Sequence, residues 1–336
     1  MEAPVIVDMP ATSTATVAGR LIRLRDDAGA LALGRVLTLV IVVDGGRCEA
    51  ALQSAIQASH LHPSRIVAIV DEGRRGRSTI DAQIRVGGDA GAAEVIVLRL
   101  RGPVAGQPAS VAIPFLLADS PIIGWWPHTA PENTGSDPLG QLCQRCITDC
   151  AAVPRPQAAL IRRAENYRPG DSDLAWSRVT RWRTILAASL DQAPFDPVIG
   201  GIVCGAADSP STDLLAAWLA ARLDLPIVRA RTPRGSGVVS VRLTKSSGAI
   251  DVYRPKGAER AAVIHALHPP RRVMMRRRSD ADCLADELRH LDPDEIYHQT
   301  LITGLGRVDR SREPASAIVR RGDAPSPADA ERVLRR

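Results

Sequence analysis

The sequence predicts an α/β protein of two units, each a mixed β-sheet flanked by helices, Rossmann-like in build but without a dinucleotide fingerprint. Three observations carry this. Val36–Val43, VLTLVIVV, is a continuous apolar and β-branched run, as expected of a strand buried on both faces. A helical stretch and a second such run, Arg65–Val70, follow it closely, which is the pattern of a right-handed parallel crossover. A strand–helix–strand unit also opens the second half, over residues 198–229.

The elements follow in order. Leu21, Leu24, Ala28 and Leu31 fall at helical spacing and predict a helix over 11–32. Asp44-Gly45-Gly46 ends the first strand, and Cys48–Ala58 reads as a helix. Ala82–Val86 and Glu94–Leu100 read as strands separated by residues 87–93. That gap is too short for a parallel crossover, so the two are antiparallel neighbours. Residues 107–118 predict a helix interrupted at Pro114, and Ile122–Trp126 a strand. His128–Gly140, rich in Pro, Gly, Asn, Ser and Asp, reads as a linker. A short strand is expected near Gln144–Thr148. Leu174–Leu190 predicts one amphipathic helix with Trp176, Val179, Trp182, Ile185, Leu186 and Leu190 on a single face.

In the second half, Val198–Cys204 is a strand, Ser211 or Thr212 caps a helix ending near Arg222, and Pro226–Arg229 is the next strand. Short strands are expected near Val238–Leu243, Ala249–Tyr253 and Ala262–Ala266. Leu284, Leu288 and Leu291 mark a helix. Asp292-Pro293-Asp294-Glu295 supplies an N-cap, a proline at the first helical position and a capping-box glutamate for another. Past Gly306 large apolar residues are few, which predicts a disordered tail. The expected domains are 1–140, 141–306 and a tail over 307–336.

Composition excludes several classes of function. The net charge of +6 comes almost wholly from arginine, since Lys245 and Lys256 are the only lysines. The arginines form no stripe with interleaved aromatics, which argues against nucleic acid. No apolar run reaches the roughly 18 residues of a membrane span, and the amino-terminal MEAPVIVDMP lacks a basic and apolar leader pattern, so a cytoplasmic protein is expected. Six cysteines in a reducing compartment predict free thiols. Cys143-x-x-Cys146 has redox or half-zinc spacing and is the candidate redox pair. A second ligand pair for zinc is missing, so no metal is expected, and inert buried thiols are the simpler account.

The candidate sites are few. Gly87-Gly88-Asp89-Ala90-Gly91 is not a GxGxxG loop and precedes a strand, so a tight turn explains it better than a phosphate cradle. Cys204–Ser211 lies at a strand end before a helix, where a small anion could bind, although Ser209–Thr212 is equally explained by capping. The seven histidines, His128 among them, read as solvated loop positions. In Trp125-Trp126-Pro127 one ring should point inward and one outward, because side chains alternate along a strand. The outward ring, with Arg85, Gly87 and Gly88 on a neighbouring strand end, is the candidate partner-binding surface. No catalytic constellation and no cofactor motif accompany these residues.

Leu33–Val40, Gln83–Leu100, Trp125-Trp126-Pro127, Tyr167–Trp176 and Leu291–Tyr297 together resemble the glucose-6-phosphate dehydrogenase assembly protein family, OpcA. The resemblance spans most of residues 5–305. It implies a non-catalytic protein that binds glucose-6-phosphate dehydrogenase and promotes its active oligomer or activates it allosterically, supporting NADPH supply through the oxidative pentose phosphate pathway. It assigns no catalytic residues. Some relatives are described as thioredoxin targets, without a match to Cys143, Cys146 or Cys150. The alternative from the residues is a small-molecule or nucleotide-binding α/β enzyme using a crevice between the two units. A weaker one is nucleic-acid binding by the arginine-rich tail.

Overall fold

The computed structural model describes residues 5–27, 36–86 and 94–335. The elements run β1 (Val5–Met9), α1 (Thr14–Asp27), β2 (Leu37–Asp44), α2 (Cys48–Ser59), β3 (Ser64–Asp71), β4 (Thr79–Val86) and β5 (Glu94–Arg101). There follow α3 (Pro108–Ala112), β6 (Ile122–Trp126), α4 (Pro138–Leu142), β7 (Arg145–Thr148), α5 (Pro156–Glu165), β8 (Asp171–Asp173), α6 (Leu174–Ser177) and α7 (Thr180–Leu190). The remainder comprises β9 (Val198–Ala206), α8 (Pro210–Leu223), β10 (Ile227–Thr232), β11 (Val238–Lys245), β12 (Gly248–Tyr253), β13 (Arg260–His265) and β14 (His268–Met274). Last come α9 (Asp280–Arg289), α10 (Glu295–Gln299), β15 (Val308–Pro314), α11 (Ala315–Arg320) and α12 (Pro327–Arg335).

The fold is α/β with two mixed sheets flanked by helices. The first has eight strands in the order β1-β4-β5-β3-β2-β6-β7-β8. Strands β5, β3, β2, β6, β7 and β8 are parallel, while β4 lies antiparallel to β5, and β1 antiparallel to β4. The parallel crossover and the β4–β5 antiparallel pair match the expectations from run length and loop length. Alternation along these strands divides the core. Leu39, Ile41, Ile66, Ala68 and Val95 face Leu52 and Ile56 of α2 and Leu284 and Leu288 of α9. Val40, Val67, Ile69, Ile96 and Leu98 face Val17 and Leu21 of α1, with Ala112 and Phe115. Covering both faces is what makes β2 and β3 continuous apolar runs.

The second sheet has seven strands in the order β14-β13-β12-β11-β9-β10-β15. Strands β9, β10 and β15 are parallel, and the β11–β14 meander is antiparallel.

The compact units do not follow the expected division at residue 140. One comprises Met1–Asp149, Asn166–Leu174 and Ser279–Pro293; the other comprises Cys150–Glu165, Ala175–Arg278 and Asp294–Arg336. β7 and β8 extend the first sheet beyond β6, and α9 packs on α2, so these later segments belong with the first core. The expected disordered tail contains β15, α11 and α12. β15 pairs with β10, and Ile318 and Ala324 are buried against Cys204 and Ala230. The edge of the sheet supplies the partner that the polar tail lacks by itself.

Smaller differences have local causes. The expected helix over 174–190 is broken into α6 and α7 at Arg178-Val179, and each piece buries a tryptophan. Trp176 is fixed by its indole N–H, which donates to Asp294 at 2.8 Å, and by Arg183 stacked 3.6 Å from its ring centre. The cap of α8 is Ser209, with Pro210 at the first helical position, rather than Ser211 or Thr212. The cap of α10 is Asp294, whose carboxylate accepts from the Tyr297 amide, so that helix starts two residues later than the Asp292-Pro293 pattern suggests.

Candidate functional site

The chain leaves β2 towards β3 on one side and returns on the other side as β6. The crevice between the carboxyl ends of β2 and β6 is therefore the topological switch point of the first sheet, where open α/β sheets bind their ligands. Asp44 ends β2, and Gly45–Arg47 make a single 3₁₀ turn before α2 begins at Cys48. A methyl group on Gly46 would touch nothing within 4 Å, so this turn borders open space. On the other strand, Trp126 ends β6 and His128 follows two residues later. Asp149 follows β7 and is buried, and Asp280 opens α9 behind the capping box of Ser279 and Asp282.

These groups act electrostatically on His128. Its Nδ1 is buried and has no hydrogen-bond partner. Burial lowers its pKa first, the Arg47 guanidinium lowers it further, and Asp44, Asp149 and Asp280 act in the opposite sense. The imidazole is thus held neutral near pH 7 and can bond a polar ligand through a free ring nitrogen. Among the described residues no hydroxyl or thiol is bonded to it, so no nucleophile–base pair is assembled there. Since the folded-state pKa is depressed, the unfolded chain binds the extra proton first. The stability linked to His128 is present above its unfolded pKa of about 6.5 and is lost as pH falls towards the folded value. An NMR titration of the ring protons is expected to place its midpoint below that of a free histidine, and Arg47→Ala to move the midpoint up. An unshifted midpoint in both proteins would contradict this electrostatic account.

The residues singled out from sequence do not converge. Trp125 is 1% exposed and Trp126 3% exposed. They point to opposite faces, as alternation requires, but both faces are covered: Trp126 belongs to the core that includes Leu21, Leu139 and Cys143, and Trp125 to the core that includes Leu52, Ile147 and Leu284. Neither ring offers a contact surface. Arg85 donates to Gln83 at 2.7 Å and pairs with Glu49 at 3.3 Å, with its side chain 20% exposed. Gly87 and Gly88 lie outside the described residues. β4 and β6 are not neighbours, because β5, β3 and β2 stand between them. At the usual spacing of about 4.8 Å that separates them by about 19 Å. Arg85 also sits level with Val95 near the amino end of β5, opposite to the strand end occupied by Trp126.

Cys143 and Cys146 are both buried. The Cys143 thiol donates to the Leu139 carbonyl at 3.2 Å, and Arg168 donates to Cys146 Sγ at 3.2 Å. Hydrogen bonding to Cys143, and then burial, push the Cys146 thiol up despite that arginine. A thiol held protonated in this way is a poor nucleophile and a poor metal ligand. In the 204–211 segment Ser209 Oγ caps α8, and Ser211 Oγ donates to the Ala175 carbonyl at 2.9 Å. His128 was legible only as a loop histidine. The signal that could have marked it is Asp44-Gly45-Gly46-Arg47 at a strand end, and that signal has meaning only once strand order is known.

The fold defines a two-unit α/β protein whose first sheet has polar residues at its switch point. Residues 55–165 match the family model for the N-terminal domain of the glucose-6-phosphate dehydrogenase subunit, and residues 169–301 match the model for the C-terminal domain of the same protein. The chain belongs to this OpcA glucose-6-phosphate dehydrogenase assembly family. Nothing among curated proteins matches it. A solved structure described as "Trehalose-6-phosphate from E. coli bound with UDP-2-fluoro glucose" is similar at 10% identity with a TM-score of 0.23. The match covers 59% of this chain and 65% of that one, just short of two thirds of its length, and carries no functional argument. No helix among the described residues is long and apolar enough to cross a membrane.

Proposed function

We propose that this chain is a non-catalytic assembly factor and allosteric activator of glucose-6-phosphate dehydrogenase, which it binds so as to favour the enzyme's active oligomer. One observation carries the reading: two adjoining family matches, each named for a subunit of that dehydrogenase, span residues 55–301 and draw on both compact units. In this role the chain acts in the cytoplasm and supports NADPH supply without turning over substrate itself. Physically, activation requires that it bind the active state of the enzyme more tightly than the inactive one. A preference of about 1.4 kcal/mol shifts that equilibrium about tenfold. Arg85, paired with Glu49 and partly exposed, is the described residue of the expected partner surface that we retain for the contact.

The test is the initial rate of NADP⁺ reduction by the dehydrogenase from the same source, with this protein titrated in, alongside the enzyme's mass in solution. The expected result is a saturable rise in rate accompanied by a larger oligomer, and no rate from this protein alone. Saturating amounts that change neither rate, substrate affinity nor mass would overturn the proposal.

A further inference from the structure

Four arginines among the described residues are buried: Arg65, Arg145, Arg229 and Arg254. Three of them face a carboxylate, from Glu94, Glu287 and Asp213 respectively. Arg254, at the end of β12 and 7% exposed, faces none among the described residues. Its Nη1 donates to the Met275 carbonyl at 3.2 Å and its Nη2 to the Val238 carbonyl at 3.4 Å, while Nε has no partner. Its guanidinium carbon lies over the Trp182 ring, 5.3 Å from the ring centre, and the charge acting on it is another cation, Arg277. Burial, and then that neighbour, lower its pKa to about 10, which still leaves it charged at pH 7. A buried cation beside a second cation is costly unless a counter-charge arrives.

The nearby carboxylates are engaged elsewhere: Asp208 accepts from the Gly235 amide at 3.4 Å, and Asp213 of α8 pairs with Arg229 and Arg310. Arg277 is exposed, enters no ion pair among the described residues, and donates to the Ser236 carbonyl. The next residue, Gly237, has φ +63°, and a methyl group on it would lie 2.8 Å from Arg277 Nη1, so glycine is needed to let the guanidinium in. Its carbonyl accepts from the Ala206 amide at 2.8 Å, and Val238 lies in register with Gly205. The two arginines are therefore tied to the carboxyl end of β9, immediately before the amino end of the 14-residue helix α8. There Thr212 Oγ1, on a fully buried side chain, has no partner. The positive end of the helix dipole adds to the two cations.

We propose that Arg254 and Arg277, with the amino end of α8, form a site for a small phosphate-bearing anion. A phosphate matches this set better than a carboxylate, since it carries close to two charges and three acceptor oxygens. A small molecule fits better than a protein surface, because Arg254 is only 7% exposed.

The experiment titrates the full chain with inorganic phosphate at constant ionic strength, read by calorimetry and by ³¹P line width, with chloride as control. The expected result is saturable binding with a Kd of about 1 mM. Arg277→Ala, at an exposed position, should weaken it about tenfold while keeping the parent's circular dichroism and melting profile, and Arg254→Lys supplies a second, charge-preserving variant expected to bind more weakly than the parent. Glucose 6-phosphate is the second probe. Competition with phosphate assigns the group to a phosphate ester, and phosphate binding without competition assigns it to the free ion; either supports the site. Absence of saturable binding, or equal affinity in a folded Arg277→Ala protein, would overturn it.

Discussion

Replacing Trp125 by alanine is expected to lower the unfolding free energy by about 3–5 kcal/mol, the range for truncating a fully buried aromatic ring. The ring lies on the middle of a parallel sheet, between Ile41 on β2 and Ile147 on β7, under α2 and α9. None of these neighbours is a terminal or loop residue free to collapse into the space. At about 2–4 °C per kcal/mol for a unit of this size, the melting temperature should fall by about 6–20 °C. Trp125→Phe should cost much less. It keeps most of the packed ring and removes an indole N–H that is buried without a partner. Thermal melts of the two variants decide the matter. An alanine variant that melts like the parent but loses partner affinity would restore the interface role expected of this residue from its sequence context.

Glu287→Ala is expected to destabilise by a similar amount, about 3–5 kcal/mol, because it leaves the buried guanidinium of Arg145 without its counter-charge. Arg145 on β7 and Glu287 on α9 are joined by a charge-assisted hydrogen bond, with both side chains buried. Arg145 also donates to the Asp292 carbonyl at 3.2 Å, so the pair ties β7 to the carboxyl-terminal half of the returning segment. The double variant Arg145→Met with Glu287→Leu should recover much of the loss, since a matched apolar pair removes both desolvation penalties. Urea denaturation of the parent, the two single variants and the double variant measures the coupling. A loss below about 1 kcal/mol in Glu287→Ala would mean that the pair behaves as a solvated surface bridge.

Much of the fold was legible because local pattern and final environment agree. Val36–Val43 and Arg65–Val70 are continuous apolar runs, and they became strands covered on both faces. The short gap between β4 and β5 dictated their antiparallel pairing. β14, His268–Met274, was missed because HPPRRVM shows no alternation; it is an edge strand, where proline needs no ladder partner on its outer side. β15 was missed for the related reason that its polar side chains carry no signal, and it exists through main-chain pairing to β10.

The sequence by itself determined the class of fold, the alternation of Trp125 and Trp126, the glycine turn after β2 and the family to which the chain belongs. Tertiary structure decided what those features mean. Alternation states that two rings point to opposite faces but not that a helix covers each, and α9, which buries Trp125, returns from more than 150 residues further along the chain. Strand order put three strands between β4 and β6 and dismantled the expected surface. The same order put a loop histidine at the β2–β6 switch point. Arg254 reads as one arginine among many until the fold buries it with no carboxylate facing it among the described residues. Burial and charge pairing are sums over neighbours distant in sequence, so only the folded chain sets them.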